Sequence, residues 1–216
     1  MDKPLGINLD FHFGQVGKPP LFTEKVRLLL VNRKTGKFEH HHFEALTDIL
    51  QGWQVWANDS IGSHPYFTQQ NYYAKKPGSY LPPTAGIPFT PEMVQKLDWH
   101  TLTLHTADPR LGLKEEPYWF PDAPRKAAFA VGTTVAKGLE SWGLTGDLSG
   151  SSDILIDVGW DWKAVGGLMT NFHWPNENLL KLTCAFGGVE LIREAHKIAF
   201  QEKYLFSDYG DRLVII

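Results

Sequence analysis

The sequence predicts an α/β (or α+β) domain in which a mixed sheet is flanked by helices. Along its 216 residues, short apolar runs of strand length interleave with segments of helical period, the pattern of a sheet covered by helices. The composition is 43% hydrophobic and 21% charged, ordinary for a chain that buries a sizeable core. No internal repeat or low-complexity tract breaks that order.

The elements follow in turn. Residues 1–24, rich in Gly and Pro, are expected to wrap the surface. Val26 to Asn32 and Phe38 to Phe43 read as a hairpin around Lys34-Thr35-Gly36. "EALTDILQGW" reads as a short helix stopped by Gly52. "QVWAN" is a strand that delivers Asn58, Asp59 and Ser60 at its end. Residues 61–83 are turn-like and aromatic, the one plausible internal boundary. "TPEMVQKL" opens a helix with Thr90 as N-cap and Pro91 in the first turn. "HTLTLHTA" alternates as a strand, and "AAFAV" is a strand running through Gly132-Thr133-Thr134 into the helix "VAKGLESW". "SDILIDV" and "GGLM" read as two more strands. Helices are expected over Glu177 to Phe186 and Val189 to Tyr204, and "RLVII" closes the chain as a strand.

The net charge of -3 carries no global basic field that would advertise nucleic acid, although a local patch would suffice. Cys184 is the single cysteine, so an internal disulfide and a cysteine metal pair are both excluded, and it reads as a small core residue. The start lacks the apolar stretch of a signal peptide, and no window approaches the roughly eighteen apolar residues of a membrane span. A cytoplasmic location without membrane contact is expected.

Polar clusters recur at the expected strand ends, where open sheets place their ligands. They are Asn58-Asp59-Ser60, Thr84-Ala85-Gly86, His105-Thr106, Gly132-Thr133-Thr134, Thr170 to His173, and Tyr209-Gly210-Asp211. Each alone is compatible with a simple turn. Strand, glycine, two threonines and helix at 132–134 aim free backbone N–H groups at one spot, suited to a carboxylate or phosphate, or else supply only an N-cap. No Walker pattern occurs. Thr170-Asn171-Phe172-His173, set between apolar runs, reads as one wall of a ligand site. His40, His41 and His42 alternate across a hairpin strand without metal-ligand spacing, so they read as solvated residues and no metal is expected. His173 and His105 are better acid/base candidates, and each equally suits a satisfied structural histidine.

Several stretches then fall into a known order. "KKPGSYLPPTAGIPFTPEMVQKL", "LTLHTA", "GTTVAKGLES", "GLMTNFHWPNENLLKLTCAFGG" and "YLFSDYGD" resemble the S-adenosylmethionine:tRNA ribosyltransferase-isomerase family of queuosine biosynthesis. The resemblance runs from about Lys25 to the C-terminus. It implies one catalytic domain over 1–216, with 61–83 as the connector where the family's small β-barrel would be inserted and is absent here. The implied reaction transfers and isomerises the ribosyl moiety of S-adenosylmethionine onto 7-aminomethyl-7-deazaguanine (preQ1) in tRNA. S-adenosylmethionine is then substrate rather than resident cofactor, and preQ1-modified tRNA is the implied partner.

The resemblance assigns His173 or His105 as acid/base, with Asp211 orienting or sharing that role. It assigns ligand binding to Asn58, Asp59, Thr84, Ala85, Gly86, Gly132, Thr133, Thr134, Lys137, Glu140, Thr170, Asn171, Phe172, Tyr209 and Gly210. The chain departs from the family pattern at Ile61, Pro88, Lys137, Val158 and Ala107-Asp108-Pro109-Arg110. Two other readings are an enzyme that uses or cleaves S-adenosylmethionine without tRNA, and a non-catalytic remnant that binds a nucleoside or a partner.

Overall fold

The computed structural model describes residues 26–66, 69–107, 115–175 and 177–216. The stretch read as surface wrapping (1–24) and Asp108-Pro109-Arg110 lie outside the described residues.

Alternating apolar residues build a sheet with two buried faces. The chain order is β1 (Arg27–Asn32), β2 (Lys37–His42), α1 (Leu46–Ile49), β3 (Gln54–Asn58), β4 (Ser60–Gly62), β5 (Lys76–Ser79), α2 (Pro91–Val94), β6 (Asp98–Leu104), β7 (Pro117–Trp119), β8 (Ala128–Val131), α3 (Thr133–Thr145), β9 (Ser149–Ser151), β10 (Val165–Asn171), α4 (Asn178–Gly187), α5 (Val189–Gln201) and β11 (Arg212–Ile215). Nine of these strands form one sheet in the order β2-β1-β11-β10-β8-β3-β6-β7-β9, and β4 pairs with β5 in a small second sheet. The central β10, β8, β3 and β6 run parallel, whereas β11 is antiparallel to β10 and parallel to β1. The carboxyl ends of four strands therefore share one rim with the amino ends of β1 and β11.

The period of two decides which layer each residue joins. Leu29, Val31, Ala128, Ala130, Leu168, Leu213 and Ile215 pack with Val135, Leu139, Phe186, Ile192 and Ala195 of α3, α4 and α5. Their neighbours Leu28, Leu30, Phe129, Val131, Met169 and Val214 pack with Phe43, Leu46, Phe89 and Met93 on the opposite face. The result is three layers, with long helices on one side and short turns of helix on the other.

Local signals act as their chemistry dictates. Thr90 caps α2 by accepting from the Met93 N–H, with Pro91 in the first turn. Gly36 and Gly52 take positive φ at the hairpin turn and after α1. The segment 43–50 begins as a 3-10 turn (Phe43–Ala45) before α1. The connector at 61–83 carries the β4–β5 pairing.

Two expectations need correction. "SDILIDV" is not a strand: β9 is the preceding Ser149–Ser151, which pairs with β7. Its apolar alternation is met by packing, since Ile156 is buried and Leu155 is 76% exposed. The strand at "HTLTLHTA" begins earlier, at Asp98, and stops at Leu104, which leaves His105 and Thr106 in the rim loop.

Candidate active site

A cleft of about 160 Å³ opens on the rim formed by the carboxyl ends of the parallel strands. Leu81 to Ala85, Thr106, Val131 to Thr134, Thr170, Asn171, His173, Leu179 and Asp208 line it. It lies where open α/β sheets gather ligands, beyond the carboxyl ends of strands, because loops there leave the rigid scaffold in a common direction.

One wall is the start of α3. β8 ends at Val131, Gly132 turns the chain with φ +100°, and α3 begins at Thr133. That positive φ is a conformation glycine adopts freely. The turn is pinned by the Gly132 N–H to the Met169 carbonyl at 2.8 Å, and a Cβ on Gly132 would meet the Ala85 Cβ at 3.3 Å. The N–H groups of the first helical turn, which have no partner within the helix, and the positive end of a 13-residue helix make this wall attractive to an anion.

The opposite wall is acidic and amide-bearing. The Thr84 hydroxyl donates to the Asp208 carboxylate at 2.9 Å, and the Asn171 amide donates to the Thr84 hydroxyl at 2.9 Å. Beneath them lies Arg212, 1% exposed. Its guanidinium donates to the carbonyls of Thr84, Ala85 and Gly210, so one buried side chain ties the 3-10 turn at Thr84–Gly86 to the loop before β11. Burial lowers its pKa to about 10, against the neighbouring Asp208 and Asp211, and it stays charged at neutral pH.

His173 stands at the end of β10, buried, with Nε2 2.9 Å from the Thr170 hydroxyl and Nδ1 2.9 Å from the Glu177 carboxylate. Burial pushes the imidazole below its ordinary value, Glu177 and Asp208 pull it back up, and His196 adds to the lowering. A neutral, hydrogen-bonded imidazole facing a cleft has the protonation state of a general base.

The other sequence-derived candidates are placed differently. Asp211 accepts from the Arg27 guanidinium and backbone N–H and from the Leu205 N–H, so its lone pairs are engaged away from the cleft lining. Glu140 is fully buried and accepts four bonds, each at 2.9 Å, from Trp160 Nε1 and the N–H groups of Lys163, Ala164 and Val165. Lys137 pairs with Glu116 at 2.5 Å. Asn58 bonds the Leu104 carbonyl and accepts from the N–H groups of Ser60 and Leu104. Asp59 accepts from the Thr103 hydroxyl at 2.7 Å. His105 packs on Trp119, and a Cβ on Gly78 would lie 2.7 Å from its ring. Phe172 is core, edge-on to Tyr204 and His196. Gly86 and Gly210 leave room for neighbours: a Cβ would fall 1.8 Å from the Tyr73 hydroxyl and 2.2 Å from the Leu205 carbonyl. The Tyr209 phenol is raised by burial and by Asp208. Thr84, Ala85, Gly132, Thr133, Thr134, Thr170, Asn171 and His173 are thus brought together, and the other candidates lie outside the cleft lining.

The family model for "Queuosine biosynthesis protein" matches residues 122–215, which carry the α3 and β10 walls, His173 and the Asp208 loop. The S-adenosylmethionine:tRNA ribosyltransferase-isomerase of Rubrobacter xylanophilus is 34% identical over 169 residues, 68% of this chain and 51% of that protein. The protein of the same name from Thermus thermophilus is 35% identical over 181 residues, 70% of this chain and 52% of its own length. Over about two thirds of its length the chain is similar to these enzymes.

The crystal structure of S-adenosylmethionine tRNA ribosyltransferase from Thermotoga maritima superposes with a TM-score of 0.71 at 21% identity, covering 94% of this chain and 96% of that one, and it shares the fold. The chain spans about half the length of the curated queuosine-family relatives it matches.

Sequence reasoning passed over Asp208, Glu177, Leu179 and Arg212. Asp208 directly precedes the Tyr209-Gly210-Asp211 cluster and was reachable by the strand-end argument. Glu177 read only as the opening of a helix. Leu179, an apolar helix residue, and Arg212, the first residue of an apolar strand, carried no local signal. Among the described residues no group of three or more His, Cys, Asp or Glu is gathered as for a metal ion, and no helix is long and apolar enough to cross a membrane.

Proposed function

We propose that the chain is an S-adenosylmethionine-dependent ribosyltransferase-isomerase, acting on 7-aminomethyl-7-deazaguanine in tRNA, with the rim cleft as its S-adenosylmethionine site. The observation that carries this reading is the convergence of the Thr84, Gly132–Thr134 and Thr170–His173 clusters on one cleft, in a chain similar to these enzymes. The curated relatives are named S-adenosylmethionine:tRNA ribosyltransferase-isomerase.

In this reading the methionine carboxylate sits at the N-terminus of α3, against the N–H groups of Thr133 and Thr134. Asp208 and Asn171 take the ribose hydroxyls, a carboxylate and an amide being suited acceptors. The positive sulfur acidifies the adjacent C5′ protons, so His173, acting as base through the Thr170 hydroxyl at its Nε2, starts the reaction, and adenine and methionine leave as the ribosyl carbon skeleton rearranges. Asn58, Asp59, Glu140, Lys137 and Asp211 are assigned to the framework that fixes the cleft walls. Residues 1–216 then act as one catalytic domain with 61–83 as connector, in the cytoplasm.

The test is incubation with S-adenosylmethionine, with and without preQ1-tRNA, followed by chromatography for adenine and methionine. Release that depends on preQ1-tRNA is the expected result. Release without RNA would give the enzyme a small-molecule acceptor or a cleavage reaction instead. No release, together with no S-adenosylmethionine binding by calorimetry, would overturn the reading.

A further inference from the structure

The cleft histidine is bonded on both ring nitrogens, and the partners fix the direction of each bond. Glu177 is a carboxylate and only accepts, so Nδ1 of His173, 2.9 Å away, carries a proton. In the neutral ring Nε2 is then the acceptor, and the Thr170 hydroxyl 2.9 Å away donates to it. The chain Glu177, His173, Thr170 therefore has one polarity, running from a carboxylate near water to a hydroxyl in the cleft lining. Side-chain exposure follows the same gradient: Glu177 is 42% exposed and His173 is 7% exposed.

Glu177 occupies the N-cap position of α4, where a side chain ordinarily accepts from the first turn's N–H groups. It makes no such capping bond. Its carboxylate turns instead to the ring, so the helix start gives up a local contact in favour of His173. β10 ends at Asn171 and α4 begins at Asn178, and just before the helix the Glu177 N–H bonds the Trp174 carbonyl at 3.0 Å. A tight turn thus holds the carboxylate at this distance.

We propose, building on the function assigned above, that Glu177 is a positioning residue for proton transfer, holding His173 in the Nδ1–H tautomer and balancing its charge while Thr170 passes the proton on. As the C–H bond of the substrate breaks, its proton goes to Thr170 Oγ and its electron pair stays on the carbon beside the sulfonium. The original hydroxyl proton moves from Thr170 to His173 Nε2. The imidazolium that forms keeps its Nδ1–H bond to the Glu177 carboxylate, and the proton later returns along the same path. Thr170 and His173 both line the cleft, whereas Glu177 acts through the ring.

The charged and titratable groups around the ring come from three elements. Glu177 at α4 and Asp208 from the loop before β11 raise its basicity, and His196 on α5 together with burial lowers it. Removing the Glu177 charge leaves burial and His196 opposed by Asp208 alone, so the ring becomes harder to protonate.

The experiment uses the full chain with 15N-labelled histidine, as wild type, Glu177→Gln, Glu177→Ala and Glu177→Asp. NMR titration reads the tautomer and protonation midpoint of His173, and adenine release is followed against pH in parallel. The wild type is expected to show the Nδ1–H tautomer. Glu177→Gln keeps an acceptor but loses the charge, so the NMR midpoint and the acid limb of the rate profile both move to lower pH. Glu177→Ala mixes the tautomers and slows adenine release about a hundredfold. Glu177→Asp restores tautomer and rate in part.

A merely structural carboxylate would leave the midpoint and the pH profile where they are, and that result overturns the proposal. So does a shifted midpoint with unchanged adenine release. Should the wild type release no adenine at all, the assigned function fails, while the midpoints still decide whether Glu177 sets the proton state of His173.

Discussion

Asp208 turns its carboxylate to Thr84 at the cleft, while Asp211, three residues on, is bound by Arg27 and the Leu205 N–H. Replacing each by asparagine therefore separates binding from stability. Asp208→Asn is expected to weaken S-adenosylmethionine binding about 10- to 100-fold, the range of a hydrogen bond to a charged group, as read by calorimetry. Asp211→Asn is expected to cost on the order of 3 kcal/mol in urea unfolding, because it leaves a guanidinium beside an uncharged partner. Equal effects of the two on unfolding alone would refute the distinction. At this scale the sequence showed which side chains are polar at strand ends, and it did not show which way they point. Asp208 and Asp211 look alike in a string; only the turn that sets one outward and the other against Arg27 tells them apart. His105 and Thr106 pose the same problem, and the cleft takes the threonine.

The α3 wall depends on what lies at both ends of that helix. At its start Gly132 takes φ +100°, so Gly132→Ala is expected to cost about 1–3 kcal/mol from the backbone conformation and to misplace the anion-binding N–H groups. Further along, Glu140 gathers Trp160 and the N–H groups of Lys163 to Val165, which sets where β10 begins and so where Thr170 to His173 end. Glu140→Gln turns one acceptor oxygen into a donor facing donors. Its expected cost is about 2–3 kcal/mol in denaturant unfolding, with weaker S-adenosylmethionine binding although Glu140 is remote from the cleft lining. A variant with wild-type unfolding would show that the four bonds hold nothing in place. Helices and the hairpin were legible because period and caps are local signals, as Thr90 and Gly52 show. "SDILIDV" misled because alternation reports burial of every second residue, and Ile156 achieves that burial without a ladder partner.

Among the described residues the large sheet is covered on both faces, and one of its rims carries the cleft. Burial lowers the basicity of both His173 and His196. Protonation is then easier in the unfolded chain, so their contribution to stability is complete above the unfolded value of about 6.5 and is lost as the pH falls below it. The melting temperature is expected to fall between pH 7 and pH 5, and His196→Gln is expected to flatten that fall. A melting curve insensitive to pH in this window would contradict the burial argument. The α/β class and the interleaved order were readable from the sequence, because each layer repeats its own period. The strand order was not, since β11 slots between β1 and β10 by long-range pairing that no local pattern encodes. The central claim, that dispersed clusters make one S-adenosylmethionine cleft, is tested most directly by a crystal structure of the full chain grown with that compound. The account predicts ligand density in the cleft, with the carboxylate on the N–H groups of Thr133 and Thr134 and C5′ about 3–3.5 Å from Thr170. Density elsewhere on the molecule, with the cleft occupied by solvent alone, would contradict it.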